Sequence, residues 1–144
     1  MMIAAVLAAL ATQSNPVLPA PWVAGQFQAK GEYARYGELE PDGTYSVVNA
    51  IKNVCNCKVA NLQADFIKDL TAPGVTVTHS MTTFCGQSAA HVIAVGAATA
   101  ADKTTQNTDV FVFRDGSAAY ILMYRFRYPH PQASEEHALT AFCP

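Results

Sequence analysis

The stretch Thr108 to Tyr128, TDVFVFRDGSAAYILMYRFRY, decides the fold. Val110 to Phe113 and Ala119 to Tyr128 are β-prone runs, and Asp115-Gly116 stands between them, where a tight turn needs residues that tolerate positive φ. The pattern predicts a long antiparallel hairpin. Along its second strand, alternation puts Tyr120, Leu122, Tyr124, Phe126 and Tyr128 on one face and Ala119, Ile121, Met123, Arg125 and Arg127 on the other. The first set is an aromatic wall that needs a cover, and two amphipathic segments elsewhere are the helices to supply it.

Working outward, Val75, Val77, His79 and Met81 alternate with Thr76, Thr78, Ser80 and Thr82, which predicts a half-buried strand. Cys85-Gly86-Gln87-Ser88 is a predicted turn, Ala90 to Ala97 a returning strand, and Thr99 to Gln106 a polar connection. Leu62, Phe66 and Leu70 fall four apart with Ile67 beside them, and Ala72-Pro73-Gly74 stops the run, so a helix of about two to three turns is expected with Asn61 as N-cap. Glu32 to Leu39 and Tyr45 to Ile51 flank the turn Glu40-Pro41-Asp42-Gly43-Thr44, a second hairpin in which Tyr45, Val47, Asn49 and Ile51 share a face. Lys52 to Ala60 reads as loop. After Pro129-His130-Pro131, Ser134 caps a short helix with Glu135 and Glu136 in its first turn and Ala138, Leu139 and Phe142 on its apolar side. The order is β-β-α-β-β-β-β-α, an α+β class with an antiparallel sheet and helices packed on it.

A chain of 144 residues accommodates one domain with a substantial core. With 51% hydrophobic and 14% charged residues it is unlike a disordered tail, and a net charge of -2 gives no electrostatic footprint for nucleic acid. Arg114, Arg125 and Arg127 are the one basic cluster, and they fit a solvated strand face. The opening run MMIAAVLAALA is too short to span a bilayer and ends in Ala9-Leu10-Ala11, a tripeptide that a signal peptidase accepts. It is expected to be a secretory leader, residues 1–11, followed by an extended lead-in, 12–21, and a single domain, 22–144. No second long apolar run follows, so the mature chain is expected to lack a transmembrane span and to be secreted, or periplasmic in a Gram-negative source.

Four cysteines, Cys55, Cys57, Cys85 and Cys143, suit an oxidising compartment, and three pairings are open. A Cys85–Cys143 staple joins a turn to the end of the terminal helix, and closing that loop stabilises by about 4 kcal/mol in the chain-entropy model. Cys55 and Cys57 are then left as a small bridge, unless the pairings are shuffled. The competing reading is a redox-active or metal-binding pair, with Lys52 and Lys58 close by.

Trp22, the helix Asn61 to Leu70, the Phe84-Cys85-Gly86 turn, the Asp115-Gly116 hairpin with Tyr120-Ile121-Leu122-Met123-Tyr124, and the closing Ala138-Leu139 helix with Cys143 together resemble small secreted bacterial proteins of the PsbP/Mog1-like fold. The resemblance covers most of the mature chain through element order and short patterns. It implies an α-β-α sandwich, and an accessory or docking role with no catalytic residues to carry over. Cys55-Asn56-Cys57 departs from the family pattern.

The sequence contains no GxSxG, HExxH, paired CxxC or glycine-rich phosphate loop, so no catalytic residue and no cofactor is assigned. His79 and His91 are expected on one side of their hairpin, either about 13 Å apart or directly opposite, depending on the turn. Alternation favours a hydrogen-bonded core role for His79, and His130 and His137 are expected at the surface. Glu32, Glu38, Glu40 and Asp42 read as a solvated edge around a turn. The leading expectation is a secreted, non-catalytic binding or accessory protein for a protein or small-molecule partner. Thiol-redox or metal handling through Cys55 and Cys57 is the alternative, and a small apolar-ligand carrier lined by Tyr120, Tyr124 and Phe126 is a third.

Overall fold

In the computed structural model the deciding hairpin pairs Asn107–Asp115 with Ala118–Phe126, with Asp115 opposite Ala118. The turn is therefore Gly116-Ser117, one residue beyond the predicted pair, because the first central position takes a positive φ and Gly116 supplies it at 62°. Among the described residues these two strands are the last of seven: β1 (Val23–Ala24), β2 (Glu32–Leu39), β3 (Tyr45–Val54), β4 (Val75–Phe84), β5 (Gln87–Gly96), β6 (Asn107–Asp115) and β7 (Ala118–Phe126). They form one antiparallel sheet in the order β1-β2-β3-β7-β6-β5-β4, with α1 (Val59–Leu70) and a helical segment, α2, described over 137–140. The chain is α+β. The structure describes residues 18–40, 43, 45–96, 107–126 and 137–144. The leader at 1–11, the connection at 99–106, Asp42, Arg127, Tyr128, His130 and the Ser134 cap with its acidic pair lie outside the described residues.

β7 is the middle strand of the sheet, and every residue from Ala118 to Tyr124 is buried. On its aromatic face Tyr120, Leu122 and Tyr124 pack with Phe111 and Phe113 of β6 and Val48 and Ala50 of β3, and the C-terminal segment covers them with Ala138, Leu139 and Phe142. Phe113 stacks on Tyr120 at 5.4 Å, and Phe142 stacks on Tyr36 at 6.0 Å. Leu18 and Trp22, from the start of the described chain, close the same side. On the other face Ile121 and Met123 join Val110, Val112, Ala90 and Val92 beneath Leu62, Phe66, Ile67 and Leu70 of α1. The helix lies over β5, β6 and β4, so this cover extends across about half of the sheet.

Several boundaries differ from the sequence reading. β3 continues to Val54 and α1 starts at Val59, which leaves only a short link where a longer loop was expected. Lys58, not Asn61, is the N-cap residue, and the Asn61 N–H already donates to the Lys58 carbonyl at 3.1 Å. At the other end the Thr71 hydroxyl donates to the Ile67 carbonyl at 2.6 Å and terminates the helix ahead of Pro73. The β4–β5 turn holds both Cys85 (φ 54°) and Gly86 (φ 73°) in the left-handed region, as a two-residue I′ turn requires. β4, expected to be half-buried, is mostly exposed, because it is an outer strand from which Val77 joins the helix-side cluster and Phe84 the aromatic one.

Because Phe142 fills the aromatic face from the turn that follows α2, at 1% exposure, Phe142→Ala is expected to lower unfolding free energy by about 3–5 kcal/mol in non-reducing urea titrations. Val54→Ala, at a side chain 75% exposed, is expected to change it by less than about 0.5 kcal/mol.

Candidate functional site

β2 enters the sheet through an irregularity, with its pairing to β3 shifting register between Glu32 and Ala34. Tyr33 is the extra residue. It turns to the aromatic face, where its hydroxyl donates to the Phe142 carbonyl. Burial, with Tyr120 alongside, pushes its phenol well above the ordinary tyrosine range. Glu32 lies opposite Ile51 on the helix face, and Arg35 lies opposite Asn49 on that same face. Residues three apart on a regular strand point to opposite sides, so it is the bulge that brings Glu32 and Arg35 together.

The Glu32 side chain has no exposed surface. Its Oε1 accepts from Arg35 Nε at 2.9 Å and from the Gln28 N–H at 2.8 Å, and its Oε2 accepts from Arg35 Nη2 at 3.0 Å and Asn49 Nδ2 at 2.8 Å. Burial raises the carboxyl pKa, but the donors, with Arg35 foremost, outweigh it and hold the group below its ordinary value of 4.5. Glu40 is buried too and accepts from Ser46 Oγ at 2.6 Å. Both correct the solvated-edge reading: alternation sees the strand but not the segment carrying Gln28, whose N–H closes on Glu32, nor the buried Ser46 hydroxyl that Glu40 meets across the turn.

Beside this pair is a cleft of about 320 Å³ lined by Val23, Gln26, Gln28, Arg35, Tyr45 and Val47, among others. Two glycines let its walls lie flat. A Cβ on Gly37 would come within 3.1 Å of Tyr45 Cδ1, and one on Gly25 within 3.2 Å of Arg35 Cγ. Tyr45 remains 58% exposed and Val23 63% exposed. The cleft therefore offers an aromatic plate, apolar rims and amide groups above an ion pair of no net charge. That arrangement suits recognition of an uncharged surface. It is poorly suited to proton transfer, because each oxygen of its carboxylate already accepts two hydrogen bonds.

The residues singled out by sequence are distributed elsewhere. Cys85 is bonded to Cys143 and Cys55 to Cys57, both at the end of the sheet where β3 and β6 finish and β5 and β7 begin. Arg114 Nη1 donates to the Cys57 carbonyl at 2.7 Å, fastening the Cys55–Cys57 loop to the β6–β7 hairpin. Tyr120 lines a separate cavity of about 370 Å³ with Tyr33, Lys52, Phe142 and Cys143, and the Lys52 ammonium is 6.0 Å from its ring centre. Tyr124 is closed inside the core and packs on Phe126 at 4.6 Å. His79 and His91 are on opposite faces, because the tight turn sets Ser80 across from His91. His79 is exposed near Gln63, at 3.4 Å, and is not a core histidine. His91 is the buried one, stacked on Phe111 at 4.1 Å with Nε2 3.9 Å from Asp109 Oδ2. His137 is exposed. Among the described residues no three His, Cys, Asp or Glu side chains gather as a metal site, and no helix is long and apolar enough to cross a membrane.

No protein-family model and no curated protein sequence matches the chain. Its fold does match solved structures. One is LpqN, described as involved in cell envelope biogenesis of Mycobacterium tuberculosis, at a TM-score of 0.54 and 15% identity over 88% of this chain and 77% of LpqN. At that identity the likeness concerns the fold.

Since the Glu32 carboxyl titrates lower in the folded chain than in the unfolded one, its contribution to stability is complete above about pH 4.5 and is lost as pH falls through the folded value. Glu32→Gln is expected to cost about 3 kcal/mol at neutral pH and to flatten the acid side of the stability profile, as read by thermal unfolding across that range.

Proposed function

We propose that this chain is an exported, non-catalytic binding or accessory protein of the cell envelope, built on a PsbP/Mog1-like scaffold, that presents the cleft beside β1 to its partner. The observation that carries this reading is the saturated Glu32 carboxylate. Four donors converge on it and fix Arg35, so the cleft is preorganised without keeping an acid or base in reserve. Two disulfides agree with an oxidising compartment, the apolar opening run agrees with export, and a structural neighbour described as involved in cell envelope biogenesis is consistent with both. The exposed Tyr45 ring above a neutral floor favours an uncharged partner that stacks on the phenol. Immobilised wild-type protein and its Tyr45→Ala variant, exposed to the same envelope extract, test the reading. Retention of a component by the wild type that falls about tenfold in the variant is expected for a stacked aromatic contact. Equal retention by both, or chemical conversion of the retained component, overturns it.

One observation favours a second reading, thiol–disulfide exchange at Cys55–Cys57. The Arg114 guanidinium, bonded to the Cys57 carbonyl, holds a fixed cation beside the bridge, and such a charge stabilises a thiolate after reduction. A dithiol partner would attack one sulfur, release the other as thiolate and leave oxidised while Cys55 and Cys57 are reduced. With a mild dithiol, this reading expects both thiols to appear at Cys55 and Cys57 while Cys85–Cys143 persists, as located by peptide mapping. Equal opening of the two bridges, or none, removes it.

A further inference from the structure

β4 forms one edge of the sheet, with β5 on its inner side and no described residue paired on its outer side. It runs for ten residues, VTVTHSMTTF, in unbroken register with β5 from Val75 opposite Gly96 to Phe84 opposite Gln87. Open edges invite pairing, and chains guard them by shortness, charge, proline, a bulge or a cover. Among the described residues β4 has none of these: it contains no Lys, Arg, Asp, Glu or Pro, its ladder has no register shift, and every residue from Thr78 to Thr83 is exposed, with Met81 at 58%. The far edge is guarded, because β1 is only two residues long.

We propose that the β4 edge pairs with β4 of a second copy of this chain, antiparallel about a two-fold axis, so that the two sheets become one. A copy of itself suits this edge better than a charged peptide. Two identical neutral strands meet without like charges in opposition, whereas a charged segment finds no complement along VTVTHSMTTF. Pairing about a two-fold axis also terminates itself. It consumes the long edge of both copies and leaves only the short β1 edges outward, so a dimer forms and not a filament. The cleft beside β1 is at the opposite side of the sheet from β4, and each copy of the dimer keeps its own cleft open.

Sedimentation of the purified protein over a concentration series tests the pairing, together with Ser80→Lys/Met81→Lys, which places one cation on each face of the strand at exposed positions. The wild type is expected to pass from monomer to dimer as concentration rises. In the variant the dimer dissociation constant is expected to rise about tenfold or more, because the lysines of the two strands then oppose each other. Amide hydrogen exchange of wild-type protein supplies a second measure that needs no variant. Exchange across residues 75–84 is expected to slow as the dimer forms, with other strands unchanged. A monomer at every concentration, a dimer unaffected by the lysines while the variant stays folded, or protection of β4 that arises only when an extended peptide from another protein is added, would each overturn the proposal.

Discussion

Burial of β7 on both faces is the constraint from which the rest of the architecture follows. A strand carrying Tyr120, Leu122 and Tyr124 on one side and Ile121 and Met123 on the other cannot remain at a solvent boundary, so it takes the centre of the sheet and needs a cover above and below. The two covers come from distant parts of the chain. α1 shelters the aliphatic side, and the C-terminal turn shelters the aromatic side, where Cys143 is tied to Cys85. Neither cover spans the whole sheet. The helix lies mainly over β4, β5 and β6, and beside β2 and β3 the Glu32–Arg35–Asn49 network takes over much of the packing on that face.

Polar packing at that position has a consequence for shape. An aliphatic patch would have to be capped, whereas a carboxylate saturated by its own neighbours remains stable next to water, so a cleft can open beside it without exposing the core. Gly25 and Gly37 then set how closely Arg35 and Tyr45 lie against the sheet. The cleft is thus a product of the bulge in β2: without the register shift Glu32 and Arg35 would face away from each other, and no ion pair would floor it.

The elements that sequence reveals best are those whose signal is local and repetitive. Alternation in AAYILMYRF and the four-residue spacing of Leu62, Phe66 and Leu70 are visible at once, and so is a turn at Cys85, although it takes only the first two of the four residues Cys85 to Ser88 expected in it, and Gln87 and Ser88 already belong to β5. What remains hidden depends on parity. One additional residue at Tyr33 reverses which side chains share a face, and the two-residue turn at Cys85-Gly86 places His79 and His91 apart where a slightly different turn would join them. Position within the sheet is equally silent. VTVTHSMTTF alternates like a half-buried strand, yet its place at the margin leaves most of it in solvent, and Glu32 and Glu40 look like surface carboxylates until the Gln28 N–H and the Ser46 hydroxyl are seen to meet them.

The central position of the last strand also fixes when the molecule can become rigid. β7 leaves the ribosome after β3 and β6, the two strands it must join, and Phe142, which closes the aromatic side, leaves later still. A nascent chain therefore has no finished core to lock it while it is being made. The aromatic side stays open until the segment carrying Phe142 has been made, so that half of the core closes late, after both strands that flank β7 are in place.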